Sequence, residues 1–218
     1  MQQLIKKGVF VTLEGIEGAG KTSMVTVVAE ALREADIDFI CTREPGGTEI
    51  AESIRRVLLT HYQETVLPET EALLYFAGRI QHLKTIIIPA LERGSWVICD
   101  RFTDATYAYQ SGGREVDFGK IAMLEKLVLE NFKPDYTILL DVPAKVGIAR
   151  IKKRLSLDRI EEEDELFFKR TRATYLQLAK NESGRFLVVD AAKELVEVAQ
   201  QVTKITKQII SKYLVTNH

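Results

Sequence analysis

Four residues near the amino end of the chain have the types and spacing of a phosphate-binding loop. Gly15, Gly20, Lys21 and Thr22 satisfy the pattern G-x-x-x-x-G-K-[ST]. Glycines allow successive backbone N–H groups to turn inward, and the positive end of a following helix adds to the attraction for anions. In such a loop the lysine reaches the β- and γ-phosphates and the threonine hydroxyl binds Mg²⁺. The pattern therefore predicts ATP or GTP binding, but it does not define the reaction.

An acidic side chain lies inside the same loop. Glu17 stands between the two glycines. At a separation of about 4 Å, two like charges repel by about 4 kcal/mol at an effective dielectric constant of about 20. A carboxylate that faced a triphosphate would therefore oppose binding. Either the pattern is accidental or Glu17 faces a different group.

A second pair of chemically active residues follows the apolar run WVIC. Asp100 ends this run, and a carboxylate at the end of a strand is well placed to bind or orient the Mg²⁺ shell. The next residue is Arg101 rather than the glutamate with which many ATPases activate water, and an arginine suits an anionic acceptor. The alternative for this pair is a salt bridge at the strand end. The sequence has no NKxD-type guanine-reading motif, which disfavours a GTPase.

Five short apolar runs are rich in β-branched and aromatic residues and alternate with helical patterns. They are residues 8–14, 38–42, 95–100, 136–142 and 185–190. Their interiors lack strict polar alternation, which is typical of strands covered on both faces. The pattern predicts an α/β layer fold with a five-stranded parallel sheet. The phosphate loop then joins the first strand to the first helix.

Apolar residues recur at helical spacing after the phosphate loop and in three later segments. These stripes are Met24, Val25, Val28, Ala29, Leu32 and Ala35; Ile50, Ile54 and Leu58; Leu124, Leu127 and Val128; and Leu195, Val198, Val202, Ile205 and Ile209. We expect them to be buried in the core. The densest charge lies at residues 150–165, and its simplest interpretation is a solvated helix and turn.

Composition disfavours several classes of protein. The chain has 218 residues and a formal net charge of -1, so the basic face that nucleic-acid binding needs is not indicated, and no nucleic-acid partner is expected. No apolar segment has the length that spans a bilayer, so neither a membrane anchor nor a secretion signal is expected. Cys41 and Cys99 lie in apolar runs without metal-ligand spacing, which predicts buried free thiols and suits a reducing cytosol. The three histidines are scattered, so no histidine-based metal site is expected.

Four further motifs follow the phosphate loop. They are TREPGGT (42–48), LLYFAGR (73–79), DRFTDATYAYQSGGR (100–114) and LDRIE (157–161). Over nearly the whole chain, the set resembles the bacterial thymidylate kinases, which are phosphate-loop nucleoside monophosphate kinases. The resemblance implies one kinase domain over residues 1–218, with the three-layer P-loop NTPase fold and a lid segment at about 148–162. It also implies Mg²⁺-dependent transfer of the γ-phosphoryl group of ATP to thymidine monophosphate (dTMP), giving dTDP for dTTP biosynthesis, usually in a cytosolic homodimer.

The resemblance assigns candidate site residues. For ATP it implies the loop residues Gly15, Ile16, Glu17, Gly18, Ala19, Gly20, Lys21 and Thr22. For dTMP it implies Glu17, Glu44, Pro45, Arg55, Tyr75, Arg79, Arg101, Thr106, Gln110 and Tyr175. Mg²⁺ is assigned to Thr22 and, partly through water, to Asp100. Catalysis is assigned to Lys21, Arg101 and Arg154.

Several of these assignments carry a specific implied role. Glu17 matches an acidic residue that turns toward the 3′-hydroxyl of the acceptor sugar, which answers the question that its position raises. Arg55 and Arg101 match arginines that hold the acceptor phosphate. Tyr75 and Arg79, at i and i+4 on one helix face, match a ring that stacks on the base and an arginine that reads the pyrimidine edge. The family usually has phenylalanine at the position of Tyr75.

Three further matches concern the base, the nucleoside and the lid. Thr106 and Gln110 match a hydroxyl and an amide near the base, although Ala105 stands where many members have serine. Tyr175 matches a tyrosine that closes over the nucleoside, and a packing role is an equal alternative. The phosphate loop has no arginine of its own, so the resemblance places the stabilisation of the transferring phosphoryl group on Arg154.

Glu44 and Pro45 match the Pro-Gly turn of the family, where the carboxylate is suited to order Mg²⁺ or acceptor water. The loop at 188–194 matches the segment that approaches adenine, largely through backbone groups.

Three other functions stay open at this point. One is a kinase for another nucleoside monophosphate, which a panel of acceptors would separate. A second is a nucleotide-gated binding protein or a catalytically silent paralogue, which would have a damaged loop or lack an acceptor arginine. A third is a nucleic-acid-stimulated ATPase, which would need a basic face and a carboxylate that activates water.

Overall fold

The computed structural model describes residues 8–153 and 156–216, which form a five-stranded parallel sheet flanked by helices. The strands are β1 Phe10–Glu14, β2 Phe39–Arg43, β3 Trp96–Asp100, β4 Tyr136–Asp141 and β5 Phe186–Asp190. Their order in the sheet is β2-β3-β1-β4-β5. The predicted fold class and all five predicted strands are confirmed, with ends that differ by one or two residues.

Helices connect the strands and pack around the sheet. They are α1 Lys21–Glu34, α2 Glu49–Leu59, α3 Pro68–His82, α4 Ile88–Glu92, α5 Thr103–Thr106, α6 Phe118–Leu129, α7 Ala144–Ile151, α8 Glu165–Asn181 and α9 Leu195–Thr216. Two π-helical segments, Leu83–Ile87 and Tyr107–Gly113, continue α3 and α5. No helix in the described ranges combines the length and the apolar character that crossing a membrane requires.

Local sequence sets several of the helix starts. Thr48 and Asp164 stand just before α2 and α8, and their side chains accept hydrogen bonds from the N–H groups of Ala51 and Phe167 at 3.1 and 2.7 Å. Asp117 caps α6 in the same way. These bonds satisfy N–H groups that have no partner within the helix.

The inner strands are buried on both faces, as the lack of polar alternation predicts. Along β1, Phe10 belongs to one apolar cluster whereas Val11 and Leu13 belong to another. The edge strands differ, because each has only one neighbouring strand. Cys41 of β2 is exposed, so the expectation of a buried thiol is wrong for this residue, while Cys99 of β3 is buried as expected.

Three residues of the apolar helix stripes are also exposed, contrary to expectation. The exposed fractions are 78% for Leu127, 58% for Leu195 and 56% for Ile50. Most other members, such as Met24, Leu58 and Val202, are buried. Helical spacing identifies an apolar face, but the neighbouring elements decide how much of that face is covered.

Candidate active site

The phosphate loop lies at the carboxyl end of β1 and leads into α1. Gly15 and Gly18 have φ angles of 138° and 74°. A Cβ atom on these residues would lie 2.5 Å from the carbonyl oxygen of Leu140 and 2.3 Å from that of Gly147. Only glycine fits such positions without strain. Gly18 occupies a variable position of the loop pattern, so its necessity comes from the approach of α7 rather than from the motif.

Lys21 lies inside the loop. Its Nζ donates to the carbonyl oxygens of Gly15 and Ile16, both at 3.0 Å. Burial, aided by repulsion from Arg101, lowers the pKa of Lys21 to about 8. A phosphate group in the loop would offer the ammonium group a charged acceptor in place of the two carbonyls.

The Glu17 carboxylate points toward Arg101. The Arg101 guanidinium donates to Glu17 Oε1 at 2.6 Å and to the carbonyl oxygen of Gly15 at 2.9 Å. The hydroxyl of Tyr109 donates to Glu17 Oε2, and the Arg101 guanidinium lies over the Tyr109 ring at 4.8 Å from its centroid. The like-charge repulsion that a carboxylate in this loop suggests is therefore avoided, because the carboxylate is paired with an arginine.

Behind Arg101, a fully buried glutamate connects three parts of the chain. Glu14, the last residue of β1, accepts hydrogen bonds from the N–H of Phe102 at 2.7 Å and from the hydroxyl of Tyr175 at 2.6 Å. Burial, reinforced by repulsion from Asp104, raises the pKa of Glu14 to about 8 despite these bonds and the nearby Arg101.

A cleft of about 940 Å³ adjoins a narrower cavity of about 80 Å³. Asp100 and Thr22 line the cleft, and Arg55, Glu44 and Arg101 line both. We call the narrower space the acceptor cavity; its lining is Glu17, Glu44, Pro45, Arg55, Leu59, Tyr75, Arg101, Ala105, Thr106, Tyr109, Gln110, Asp158 and Ile160. The structure thus brings together the residues predicted for the acceptor, apart from Arg79 and Tyr175.

Arg79 lies directly behind the cavity wall. It is 2% exposed, and its guanidinium donates to Glu44 at 2.6 Å, to Thr106 Oγ1 at 2.8 Å and to the carbonyl oxygen of Phe102 at 3.0 Å. His82 hydrogen-bonds the other oxygen of Glu44 at 3.0 Å. Glu44 is therefore engaged with Arg79 and His82 rather than free beside the cleft.

Tyr175 lies in the core, not in the cavity wall. Its ring is 1% exposed, and its hydroxyl accepts from Arg101 at 3.3 Å while it donates to Glu14. The contact with Arg101 places it behind the site, and Tyr109 occupies the wall in front of it.

The charged segment of 150–165 contributes to both sides of the loop. Arg150 donates to the carbonyl oxygens of Gly18 and Ala191 at 3.2 and 2.8 Å. It lines a third cavity, of about 360 Å³, together with Lys193 and other residues from the amino end of α9 and the loop before it. Arg159 instead donates to Glu71, beside the acceptor cavity, at 2.6 Å. Arg154 lies outside the described residues.

The donor set at the end of β3 fits Mg²⁺. Asp100 Oδ1 is buried and has no hydrogen-bond partner among the described atoms, and Thr22 lies at the same cleft. No group of three or more His, Cys, Asp or Glu residues in the described ranges could hold a metal. Mg²⁺ commonly uses one or two protein oxygens, of the kind that Asp100 and Thr22 offer, together with water and substrate phosphates.

Some of these residues were missed from the sequence. Tyr109 and Asp158 lie within quoted motifs, so their position in DRFTDATYAYQSGGR and LDRIE was an available signal. The sequence contains no comparable signal for Glu14, Glu71 and His82. A single polar residue in a helix or strand pattern does not indicate which distant residue it contacts.

The strand, phosphate loop and helix, with an arginine-lined cavity on the far side of the loop, define a P-loop kinase for a small acceptor. A family model described as "Thymidylate kinase" matches residues 13–202. The chain belongs to the thymidylate kinase family, whose members phosphorylate dTMP to dTDP with ATP.

Individual relatives agree with this assignment. The chain is 54% identical to a thymidylate kinase of Alcanivorax borkumensis over 93% of this chain and 97% of the relative. It is 48% identical to one of Pseudomonas fluorescens over 94% and 98%. The crystal structure of thymidylate kinase from Ehrlichia chaffeensis superposes with a TM-score of 0.75, at 32% identity, over 92% of this chain and 99% of the other. The resemblance seen in the motifs is confirmed, and so is the kinase class.

Proposed function

We propose that dTMP binds in the acceptor cavity and the cleft that adjoins it, and that ATP binds on the opposite side of the phosphate loop, with the transferring phosphoryl group beside Arg101. The observation that carries this proposal is the position of Arg101. Its guanidinium is bound both to the loop carbonyl of Gly15 and to Glu17 in the cavity wall. A cation at this boundary is suited to attract phosphate groups from both substrates.

The ATP assignment follows the geometry of the loop. The first N–H groups of α1 point toward the loop without partners in the helix, and Lys21 lies among them. The cavity lined by Arg150 and Lys193 extends from the same loop and supports an adenosine site there, beside the segment 188–194 that the family resemblance implies.

The chemistry needs charge stabilisation more than proton transfer. The acceptor phosphate of dTMP is already an anionic nucleophile, so no strong general base is required. Lys21 and Arg101 would stabilise charge on the transferring phosphoryl group. Arg55, which donates to the carbonyl oxygen of Pro45 at 2.9 Å, would hold the acceptor phosphate.

Glu17 and the aromatic side chains would orient the nucleoside. The Glu17 carboxylate is fixed by Arg101 and Tyr109 and would accept a hydrogen bond from the 3′-hydroxyl of the sugar. Tyr75 would stack on the base. Gln110 and Thr106 would lie beside its polar edge, with Arg79 supporting Thr106 from behind.

Mg²⁺ is the proposed cofactor, held by the Thr22 hydroxyl and, partly through water, by Asp100. When bound, the ion would neutralise negative charge on the β- and γ-phosphate oxygens of ATP. The buried Oδ1 of Asp100, which has no hydrogen-bond partner in the part of the chain that the structure describes, supports this role.

The lid assignment rests on the sequence. We propose one kinase domain over residues 1–218 with a lid segment at about 148–162, from which Arg154 would add positive charge at the phosphoryl group. Replacement of Arg154 by alanine should lower turnover more than dTMP affinity. Equal turnover would remove Arg154 from catalysis.

A homodimer in the cytosol is the proposed assembly. Exposed apolar side chains from α2, α3 and α6 support it; they are Val57, Leu73, Phe118, Met123 and Leu127. Such a group on neighbouring helices is typical of a protein interface. Leu127→Glu should shift the protein to a monomer in analytical ultracentrifugation. Val215→Glu is the matched control, because Val215 is also 78% exposed but lies on α9.

A substrate panel tests the reaction directly. ADP release is measured with ATP, Mg²⁺ and each nucleoside monophosphate in turn, and without an acceptor. Turnover chiefly with dTMP is expected. Turnover chiefly with another acceptor would overturn the cavity assignment, and equal ATP loss without acceptor would overturn the transfer mechanism.

A further inference from the structure

A buried glutamate behind the acceptor cavity belongs to none of the sequence motifs and has no role in the mechanism above. Glu71, on α3, is 0% exposed. Its Oε1 accepts from Gln110 Nε2 at 2.7 Å, and its Oε2 accepts from Arg159 at 2.6 Å. Arg114 donates to both oxygens at 3.3 and 3.5 Å. A buried carboxylate is costly unless it is paired, so this set of donors holds Glu71 in one position.

The contact with Glu71 determines which end of the Gln110 amide faces the cavity. A carboxylate bound by two guanidinium groups offers only acceptor lone pairs, so Gln110 must present its NH₂ donor to it. The carbonyl oxygen is then the end left for the cavity that Gln110 lines. A carbonyl in this position accepts a hydrogen bond from a substrate and repels another acceptor.

Pyrimidine bases differ at the group that such a carbonyl would recognise. Thymine and uracil carry an N–H donor at N3, between two carbonyls, whereas cytosine has an acceptor at N3. A buried carbonyl therefore favours the first two bases, because cytosine would leave two acceptors facing each other without a proton.

We propose that Glu71 is a positioning residue that sets the base preference of the acceptor cavity by holding the carbonyl of Gln110 toward the base. This inference rests on the proposed function, in which Gln110 lies beside the base of dTMP. Arg159 strengthens the arrangement, because it also donates to the carbonyl oxygen of Leu58 at 2.8 Å and so keeps Glu71 between two fixed cations.

Glu71→Gln tests the inference. The neutral amide can present either end to Gln110, so Gln110 is free to turn. We expect kcat/KM to fall about tenfold for dTMP and dUMP and to stay unchanged for dCMP, which is followed both as acceptor and as competitor. The preference for dTMP over dCMP then falls about tenfold, while the dTMP to dUMP ratio is constant. An equal loss with all three acceptors would overturn the inference, because a purely structural role predicts it.

Two further variants complete the test. Glu165→Gln removes a carboxylate from an exposed ion pair with Lys169 and should change no ratio. Glu71→Asp keeps the charge between the arginines if the glutamine variant does not fold. It withdraws the carboxylate from Gln110 by about 1.5 Å, one carbon–carbon bond, and should lower the dTMP to dCMP preference about threefold; an unchanged preference would contradict the proposal.

Gln110→Ala separates this inference from the proposed function. If this variant keeps the wild-type preference for dTMP over dCMP, then Gln110 does not contact the base and the cavity assignment fails. If Gln110→Ala lowers the preference but neither Glu71 variant does, only the positioning role of Glu71 fails.

Discussion

The phosphate loop offers a ligand mainly backbone N–H groups and one buried ammonium, whereas the acceptor cavity is walled by side chains bound to one another. The Lys21 ammonium group donates hydrogen bonds to two loop carbonyls, those of Gly15 and Ile16. On the other side, Arg79 is fixed by Glu44 and Thr106, and Gln110 is fixed by Glu71. In the proposed binding mode, the two substrates therefore contact walls of different construction.

This difference fits the different tasks of the two sides. Phosphate groups are recognised by charge and by N–H direction, which a backbone loop supplies without side-chain specificity. A base must be told from other bases by its pattern of donors and acceptors, which requires side chains held in one orientation. Loss of a cation on the loop side should therefore reduce rate, and loss of a partner on the cavity side should reduce stability and acceptor affinity together.

The largest expected effect concerns the loop. Lys21→Met should lower kcat about 1000-fold, because it removes one of the two charges that we propose stabilise the transferring phosphoryl group. Binding of dTMP without ATP, measured by calorimetry, should change less than about threefold. Lys207→Met, at an exposed ion pair on α9, should leave kcat unchanged. A loss of dTMP affinity equal to the loss of turnover would contradict the separation of the two sides.

Next in size is the loss of the buried arginine of the cavity wall. Arg79→Met removes three hydrogen bonds and leaves Glu44 with His82 alone. We expect the free energy of unfolding to fall by about 3 kcal/mol and dTMP affinity to fall about 30-fold, with ATP affinity preserved. Chemical denaturation and calorimetry measure these values, and the exposed Arg33→Met is the control. A stable variant with normal dTMP affinity would show that the wall does not depend on Arg79.

A smaller effect, on the pH dependence of stability, is expected for Glu14, which lies behind Arg101 between the phosphate loop and the acceptor cavity. Burial raises the pKa of Glu14 from 4.5 to about 8, so between these values the folded state binds more protons than the unfolded state. Stability from this group is therefore greatest at low pH and is lost as pH rises through that window. The neutral variant Glu14→Gln avoids this loss.

Chemical denaturation of both proteins at pH 5.5, 6.2 and 7 checks this expectation. The free energy of unfolding of wild type should fall relative to that of Glu14→Gln by about 2 kcal/mol across the series. Exposed Glu30→Gln controls for the removal of one carboxylate. A constant difference at all three pH values would mean that Glu14 is ionised in the folded state.

The smallest effect is expected for an arginine–glutamate pair that is exposed, in contrast to the buried pair of Arg79 and Glu44. Glu52 and Arg43 form a 3.0 Å pair beside the larger cleft, but their side chains are 41% and 54% exposed. Glu52→Gln should cost only about 0.5 kcal/mol of stability, and less at high salt. A cost similar to that of Arg79→Met would show that pairing, rather than burial, makes the cavity wall rigid.

Much of the fold was predictable because its signals are local. The five strands, the helix after Lys21 and the phosphate loop follow from hydrophobic periodicity and a short pattern, and the structure confirms the strands and the helix. The exposed side chains of Leu127 and Cys41 could not be predicted in this way. Periodicity gives the apolar face of an element, but not the extent to which another element covers it.

The side chains behind the wall of the acceptor cavity could not be predicted from the sequence. The resemblance placed Thr106 and Gln110 together, but it did not indicate Glu71 or His82 behind them. It also left Tyr175 between two roles, and the structure places this side chain behind Arg101, where it contacts Glu14.

The sequence by itself determined the phosphate loop, because the bonds of Lys21 join residues only five or six positions apart and a fixed spacing is enough to specify them. Tertiary structure alone decided the orientation of Gln110. Its partner Glu71 is 39 positions away, and Arg159 lies 88 positions beyond Glu71. Contacts over such separations depend on how helices pack against the sheet, which the spacing of residues along the chain does not encode.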